Sequence, residues 1–97
     1  MKVMWRPEAA QDFEDYIAQV GERSTRDAAE QKAAIESRIL LLERFKDFGR
    51  KTRRTGVREL ALDAAPVVIV FRLADGLILV LRIFGLAPQS AAKITPA

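Results

Sequence analysis

"VVIVFRLADGLILVLRIF", Val67 to Phe84, decides the fold of this 97-residue chain. Two apolar runs, "VVIVFRL" (Val67–Leu73) and "LILVLRIF" (Leu77–Phe84), flank Asp75-Gly76. An Asp-Gly pair between such runs signals a two-residue hairpin turn, whose central residues must both accept positive φ. That turn sets Ala74 opposite Leu77 and Phe71 opposite Val80. Strict alternation then places Val67, Ile69, Phe71 and Leu73 on one face with Ile78, Val80, Arg82 and Phe84. Val68, Val70 and Arg72 take the other face with Leu79, Leu81 and Ile83. Both faces are apolar, so both need a cover.

Upstream, "VRELAL" (Val57–Leu62) alternates as a third strand, with Arg58, Leu60 and Leu62 on one face. "DAAP" separates it from the hairpin, because Pro66 cannot donate into a ladder. Before Gly56 the period becomes helical. Ala9, Phe13, Ile17 and Val20 form one amphipathic stripe. Pro7 suits the first turn of that helix, Glu8 and Asp12 suit its positive end, and Gly21 suits its stop. Ser24 or Thr25 caps a second helix, whose stripe of Ala28, Ile35, Ile39 and Leu42 runs to about Phe48-Gly49. "KVMW" (Lys2–Trp5) reads as a short strand with Trp5 as a core or edge anchor. The order is β-αα-βββ: an α+β domain in which an N-terminal strand precedes an antiparallel helix hairpin packed on one face of a small antiparallel sheet. A helix hairpin covers only one face. The other is covered either by a partner or by the chain's own "LAPQSAAKITPA" tail. Residues 1–97 form a single domain, with about 90–97 a tail that is flexible or ordered by a partner.

Composition narrows the chemistry. The chain has neither cysteine nor histidine, which removes disulfides, thiolate metal sites and the usual Ser-His, Cys-His and zinc sites. No cofactor or metal is expected. The charged N-terminus does not look like a secretion signal, and no apolar run nears the roughly 20 residues that span a bilayer. A reducing cytoplasm is the expected compartment, with no membrane partner. Charge is uneven: net −3 over residues 1–43, +6 over 44–58 and zero over 59–97. The positive balance sits in "GRKTRRTGVREL", Gly49–Leu60, as Arg50, Lys51, Arg53, Arg54 and Arg58. Arg72 and Arg82 interrupt otherwise apolar strands. Arg72 is expected to pair with a carboxylate near the helices, and Arg82 to stand exposed, since an unpaired buried charge is costly.

Three stretches, "WRPEAAQDFEDYIAQV", "GRKTRRTGVREL" and "PVVIVFRLADGLILVLRIF", resemble the RelE/ParE superfamily of bacterial type II toxins, and more narrowly its ParE branch. The resemblance runs from Val3 to Gln89 and lies in the order and spacing of the motifs. Lys46 stands where the family often has proline, Val67-Val68 replaces Pro-Tyr, and Phe71-Arg72 replaces Tyr-Arg. Gly85 occupies a position where many members carry histidine.

The ParE branch implies a non-enzymatic inhibitor of DNA gyrase that stabilises the gyrase–DNA cleavage complex. It also implies a ParD-like antitoxin whose tail wraps the toxin in a hetero-oligomer. On that reading the antitoxin meets Arg58, Ile69, Phe71, Val80, Arg82 and Phe84, while Arg50, Lys51, Arg53 and Arg54 meet gyrase, possibly with its DNA. The RelE branch implies a ribosome-dependent mRNA endonuclease, for which Lys51, Arg58 and Arg82 are the candidates. Such cleavage needs a proton acceptor and donor, whose loss costs roughly 10²–10⁴-fold each. The chain offers many cations but one tyrosine, Tyr16, on the first helix. A plain nucleic-acid binder is a third class. No aromatic interleaves Arg50–Arg58, so base stacking is not suggested.

Overall fold

The computed structural model describes residues 2–45 and 49–86. Strand β1 (Lys2–Trp5) leads into helix α1 (Pro7–Arg23), and α2 (Thr25–Leu41) follows after the single residue Ser24. Then come β2 (Arg50–Lys51), β3 (Val57–Ala61), β4 (Val67–Ala74) and β5 (Leu77–Gly85). The sheet has five strands in the order β1-β5-β4-β3-β2. The α+β reading holds with two additions. The sheet is mixed, because β1 lies parallel to β5, and Arg50-Lys51 adds an antiparallel edge strand against β3.

Local chemistry explains the boundaries. Pro7 opens α1, needing no N–H there. Ser24 serves both helices: its N–H donates to the Val20 carbonyl, and its Oγ accepts from the Asp27 N–H at 3.0 Å. Gly21 does not stop α1, which runs on to Arg23, so the cap rather than the glycine ends it. α2 ends at Leu41, short of the expected Phe48-Gly49, and a tightened turn carries the chain to Phe45. Asp75 and Gly76 both take positive φ, 42° and 78°, the backbone that a type I′ turn requires.

The β4–β5 pairing begins as expected, with Ala74 opposite Leu77 and Phe71 opposite Val80. The next residue of β4, Val70, pairs with Arg82, which leaves Leu81 unopposed. This β-bulge shifts every later side chain of β5 to the other face. Ile83 now lies opposite Ile69 and joins the core with Val67, Phe71, Ile78 and Val80. Ala9, Ile35, Ile39 and Leu42 cover that core from the helix side. Arg82 and Phe84 turn outward, opposite Val70 and Val68.

Ile69, Phe71 and Val80 are therefore fully buried beneath the helices and cannot serve as surface anchors. The face they were expected to form with Arg82 and Phe84 is split by one extra residue. The other face carries Val68, Val70 and Leu79, all half-buried, with Met4 and Phe84 exposed. The expected return of the tail across it lies outside the described residues.

Phe71 is fully buried and Phe84 is 47% exposed, which gives a test of the register. Truncating a buried phenylalanine to alanine costs about 3–5 kcal/mol, from lost burial and the cavity left behind. Phe71→Ala should lower unfolding free energy by that amount in urea titrations, and Phe84→Ala by less than about 1 kcal/mol, as at other surface positions. Strict alternation would make the two costs similar.

Candidate functional site

The outward face of the sheet is built in rows. Val57, Arg72, Leu79 and Met4 line up across β3, β4, β5 and β1, and Arg50, Glu59, Val70 and Arg82 form the next row. Ala61, Val68 and Phe84 form a third. Apolar side chains thus alternate with three guanidinium groups, and Glu59 is the one carboxylate in these rows. Arg50 pairs with it at 2.9 Å. Arg72 is exposed and has no carboxylate within ion-pair distance among the described residues, so its expected partner near the helices is not present.

Arg82 is held in place. Its Nε and one terminal nitrogen donate to the two oxygens of Asp12 at 2.7 and 2.9 Å, a bidentate fork. Asp12 Oδ2 also accepts the Ile83 N–H at 3.0 Å. β1 stops at Trp5, and the Arg6 N–H makes the last bond to this stretch, at the Val80 carbonyl. α1 then brings Asp12 to the β5 edge just past the bulge. One carboxylate thereby satisfies a ladder N–H left without a strand and fixes the guanidinium. Arg82 also lies 5.3 Å from the centroid of Phe84, a cation–π contact on the same face.

The second feature is the β2–β3 hairpin. Thr52 N–H donates to the Val57 carbonyl at 3.1 Å, Val57 N–H donates to the Arg54 carbonyl at 3.1 Å, and the Arg54 N–H donates to Thr52 Oγ1 at 3.1 Å. Arg53 and Arg54 sit at its tip. Gly49 holds its base with φ 92°, where an added Cβ would stand 2.7 Å from the Glu59 carbonyl oxygen. No side chain fits that space. Lys51, Arg53 and Arg54 are exposed and have no carboxylate partner among the described residues. Arg58 is half-buried opposite Phe71 and reaches towards the Gly49 carbonyl.

These positions divide the expected sets. Arg58 shares the helix-side face with Lys51 and Phe71, whereas Arg82 lies on the outward face. The nuclease trio Lys51, Arg58 and Arg82 is therefore not assembled at one point. Of the expected antitoxin contacts, Arg82 and Phe84 do share the outward face. Tyr16, the chain's only tyrosine, is occupied elsewhere. Its hydroxyl donates to Gln31 Oε1 at 2.5 Å, and burial pushes its pKa upward, with Arg23 opposing. Its ring lies 3.1 Å from where a Cβ on residue 85 would stand. Gly85 thus makes room for Tyr16 where family members often carry histidine.

A groove of about 500 Å³ lies between the helices and β1, lined by Val3, Trp5, Phe13 and Leu40 with Glu14 and Glu36 beside them. Trp5 and Phe13 pack there at 5.5 Å between centroids. Among the described residues, no cluster of carboxylates could hold a metal ion, and no helix is long and apolar enough to cross a membrane.

Residues 3–85 match the family model of the ParE toxin of the type II toxin-antitoxin system, parDE. Among solved structures, the chain is similar to the chromosomal ParDE toxin-antitoxin system from P. aeruginosa. The TM-score is 0.79 at 26% identity, over 90% of this chain and 97% of that one. It also shares its fold with the conserved hypothetical protein HP0894 from Helicobacter pylori, with a TM-score of 0.52 at 17% identity over 89% and 94% of the two chains. No curated protein sequence matches it.

The fork between Asp12 and Arg82 predicts a pH dependence. Hydrogen bonds from Arg82 hold the Asp12 carboxyl below the usual carboxylate range; burial opposes this, and the Ile83 N–H assists. A depressed carboxyl pKa stabilises the fold above the unfolded value of about 3.9, and that stability is lost as pH falls through the folded value. Wild type should lose stability on acidification below about pH 4 more steeply than Asp12→Asn, compared by thermal unfolding across pH 2–7. Equal slopes would show that the fork does not couple to folding.

Proposed function

The chain belongs to the ParE toxin family of type II toxin-antitoxin systems, and we propose that it acts by gripping DNA gyrase on DNA rather than by chemistry of its own. The observation that carries this reading is the state of its proton carriers. A nuclease needs a base and an acid beside the phosphate it cleaves. This chain has no histidine, and its one tyrosine donates to Gln31 beneath Gly85. Its cations stand on both sides of the sheet, an arrangement suited to wide contact. The RelE-like alternative, cleavage of message on the ribosome, would have to rest on Lys51 beside Arg58, with no proton donor named.

The partner that silences it is a ParD-like antitoxin. The similarity to a ParDE system supports this, and so does the outward face. Met4, Val68, Val70, Leu79 and Phe84 offer apolar seats, and Arg72 and Arg82 offer cations, which suits an acidic amphipathic segment. Such a segment would cover the half of the sheet that the helices leave open, in a toxin–antitoxin hetero-oligomer.

Two measurements test the reading. Purified protein should leave gyrase-cleaved DNA in a supercoiling and cleavage assay while cell-free translation continues. Cut message on ribosomes with intact DNA would overturn the gyrase reading. For the antitoxin, Phe84→Asp and Met4→Asp should each weaken binding by about 2 kcal/mol or more, as at interface hot spots, or roughly thirtyfold in Kd. Phe84→Asp and Met4→Asp variants that bind as tightly as wild type by calorimetry would move the antitoxin to another surface.

A further inference from the structure

We propose that the tip of the β2–β3 hairpin, with Lys51, Arg53 and Arg54, is a contact for the phosphate backbone of duplex DNA. This deepens the gyrase reading, on which it rests, by assigning the basic hairpin to the nucleic acid and not to the protein of that complex.

Three observations point the same way. The first is unbalanced charge. The hairpin's other edge cation, Arg50, is neutralised by Glu59, but Lys51, Arg53 and Arg54 have no carboxylate partner among the described residues. Exposed cations left in this state are available to displace counterions from phosphates.

The second is what the tip lacks. From Arg50 to Gly56 the sequence is RKTRRTG, with no apolar or aromatic side chain. Protein interfaces draw much of their energy from Trp, Tyr and Arg anchors buried among apolar neighbours, and this segment has arginines but no aromatic or apolar side chain to bury around them. The outward sheet face has such side chains, so the two surfaces divide the work by chemistry. Without an aromatic there is also no platform for stacked bases, which favours a duplex backbone over a single strand.

The third is rigidity. Thr52 bonds to both sides of the turn, Leu73 N–H donates to the Gly56 carbonyl at 2.9 Å, and Gly49 is seated against the β3 backbone. The cations therefore project from an ordered, narrow edge of the sheet, so little backbone freedom is lost on contact. Contacts of this kind position a protein on DNA without reading sequence.

The test is fluorescence anisotropy of the full chain with a short labelled duplex, over a series of salt concentrations and with no gyrase present. Three phosphate contacts give a log–log salt slope of about −2.7 and an affinity loss of about fortyfold between 50 and 200 mM salt. The triple substitution Lys51→Gln, Arg53→Gln, Arg54→Gln should abolish that slope and retain antitoxin binding. Lys32→Gln, an exposed cation on α2, should change neither. If the triple variant keeps the wild-type slope, or wild type shows no salt-dependent DNA affinity, the proposal is overturned. Loss of binding to DNA-free gyrase by the same variant, with DNA binding unchanged, would assign the hairpin to an acidic protein surface instead. Because the readout omits gyrase, failure here is separable from failure of the gyrase reading.

Discussion

A guanidinium cannot sit unpaired in a packed apolar core, and the β5 strand is arranged around that constraint. A strictly alternating hairpin would put Arg82 beside Phe71 and Ile69, where desolvating the charge without a partner costs several kcal/mol. The extra residue at Leu81 avoids this. It sends Ile83 inward in place of Arg82, turns Phe84 outward, and brings the Ile83 N–H to the Asp12 carboxylate. Asp12 then pairs with the displaced guanidinium. Bulge, fork and edge bond are mutually dependent, and they join α1 to the sheet at the point where β1 ends.

That arrangement determines what the molecule can offer a partner. The helix side is a closed core of aliphatic side chains and Phe71, with Trp5, Phe13 and Tyr16 packed at its border. The outward side keeps a mixture of apolar seats and cations, with Arg82 held firm by its fork. The basic hairpin projects from the opposite edge of the sheet. Its charge is poorly compensated because the acidic residues are concentrated in the first 43 positions, mostly on the helices. On the proposed function, the activity of the chain follows from its surfaces and not from a catalytic set. The one tyrosine fills space over a glycine and donates within the helix layer.

Much of the architecture was legible in the sequence because its signals were local. Asp75-Gly76 demands one turn type, Ser24 has the side chain that a cap needs, and the stripes of α1 and α2 have helical spacing. The motifs that resemble the ParE branch likewise led to the correct family. Less legible was anything that depends on two distant segments meeting. The bulge leaves no turn residue behind, although Arg82 in an otherwise core-facing row was an indirect sign of it. Asp12 looked like a helix-dipole residue, because its partner lies seventy positions away. β2 has only two residues and no alternation to detect. The candidate antitoxin face included Ile69, Phe71 and Val80 because strict alternation tied them to Arg82 and Phe84, and the bulge moves only those last two to the other face.

The register of β5 is the claim from which the rest follows, and nuclear Overhauser spectroscopy of the isolated chain measures it directly. The expected contacts run from the Ile83 side chain to Ile69 inside the core, and from the Phe84 ring to Val68 on the outward face. Contacts from the Phe84 ring to Phe71 or Ile69, with Ile83 facing solvent, would contradict this register.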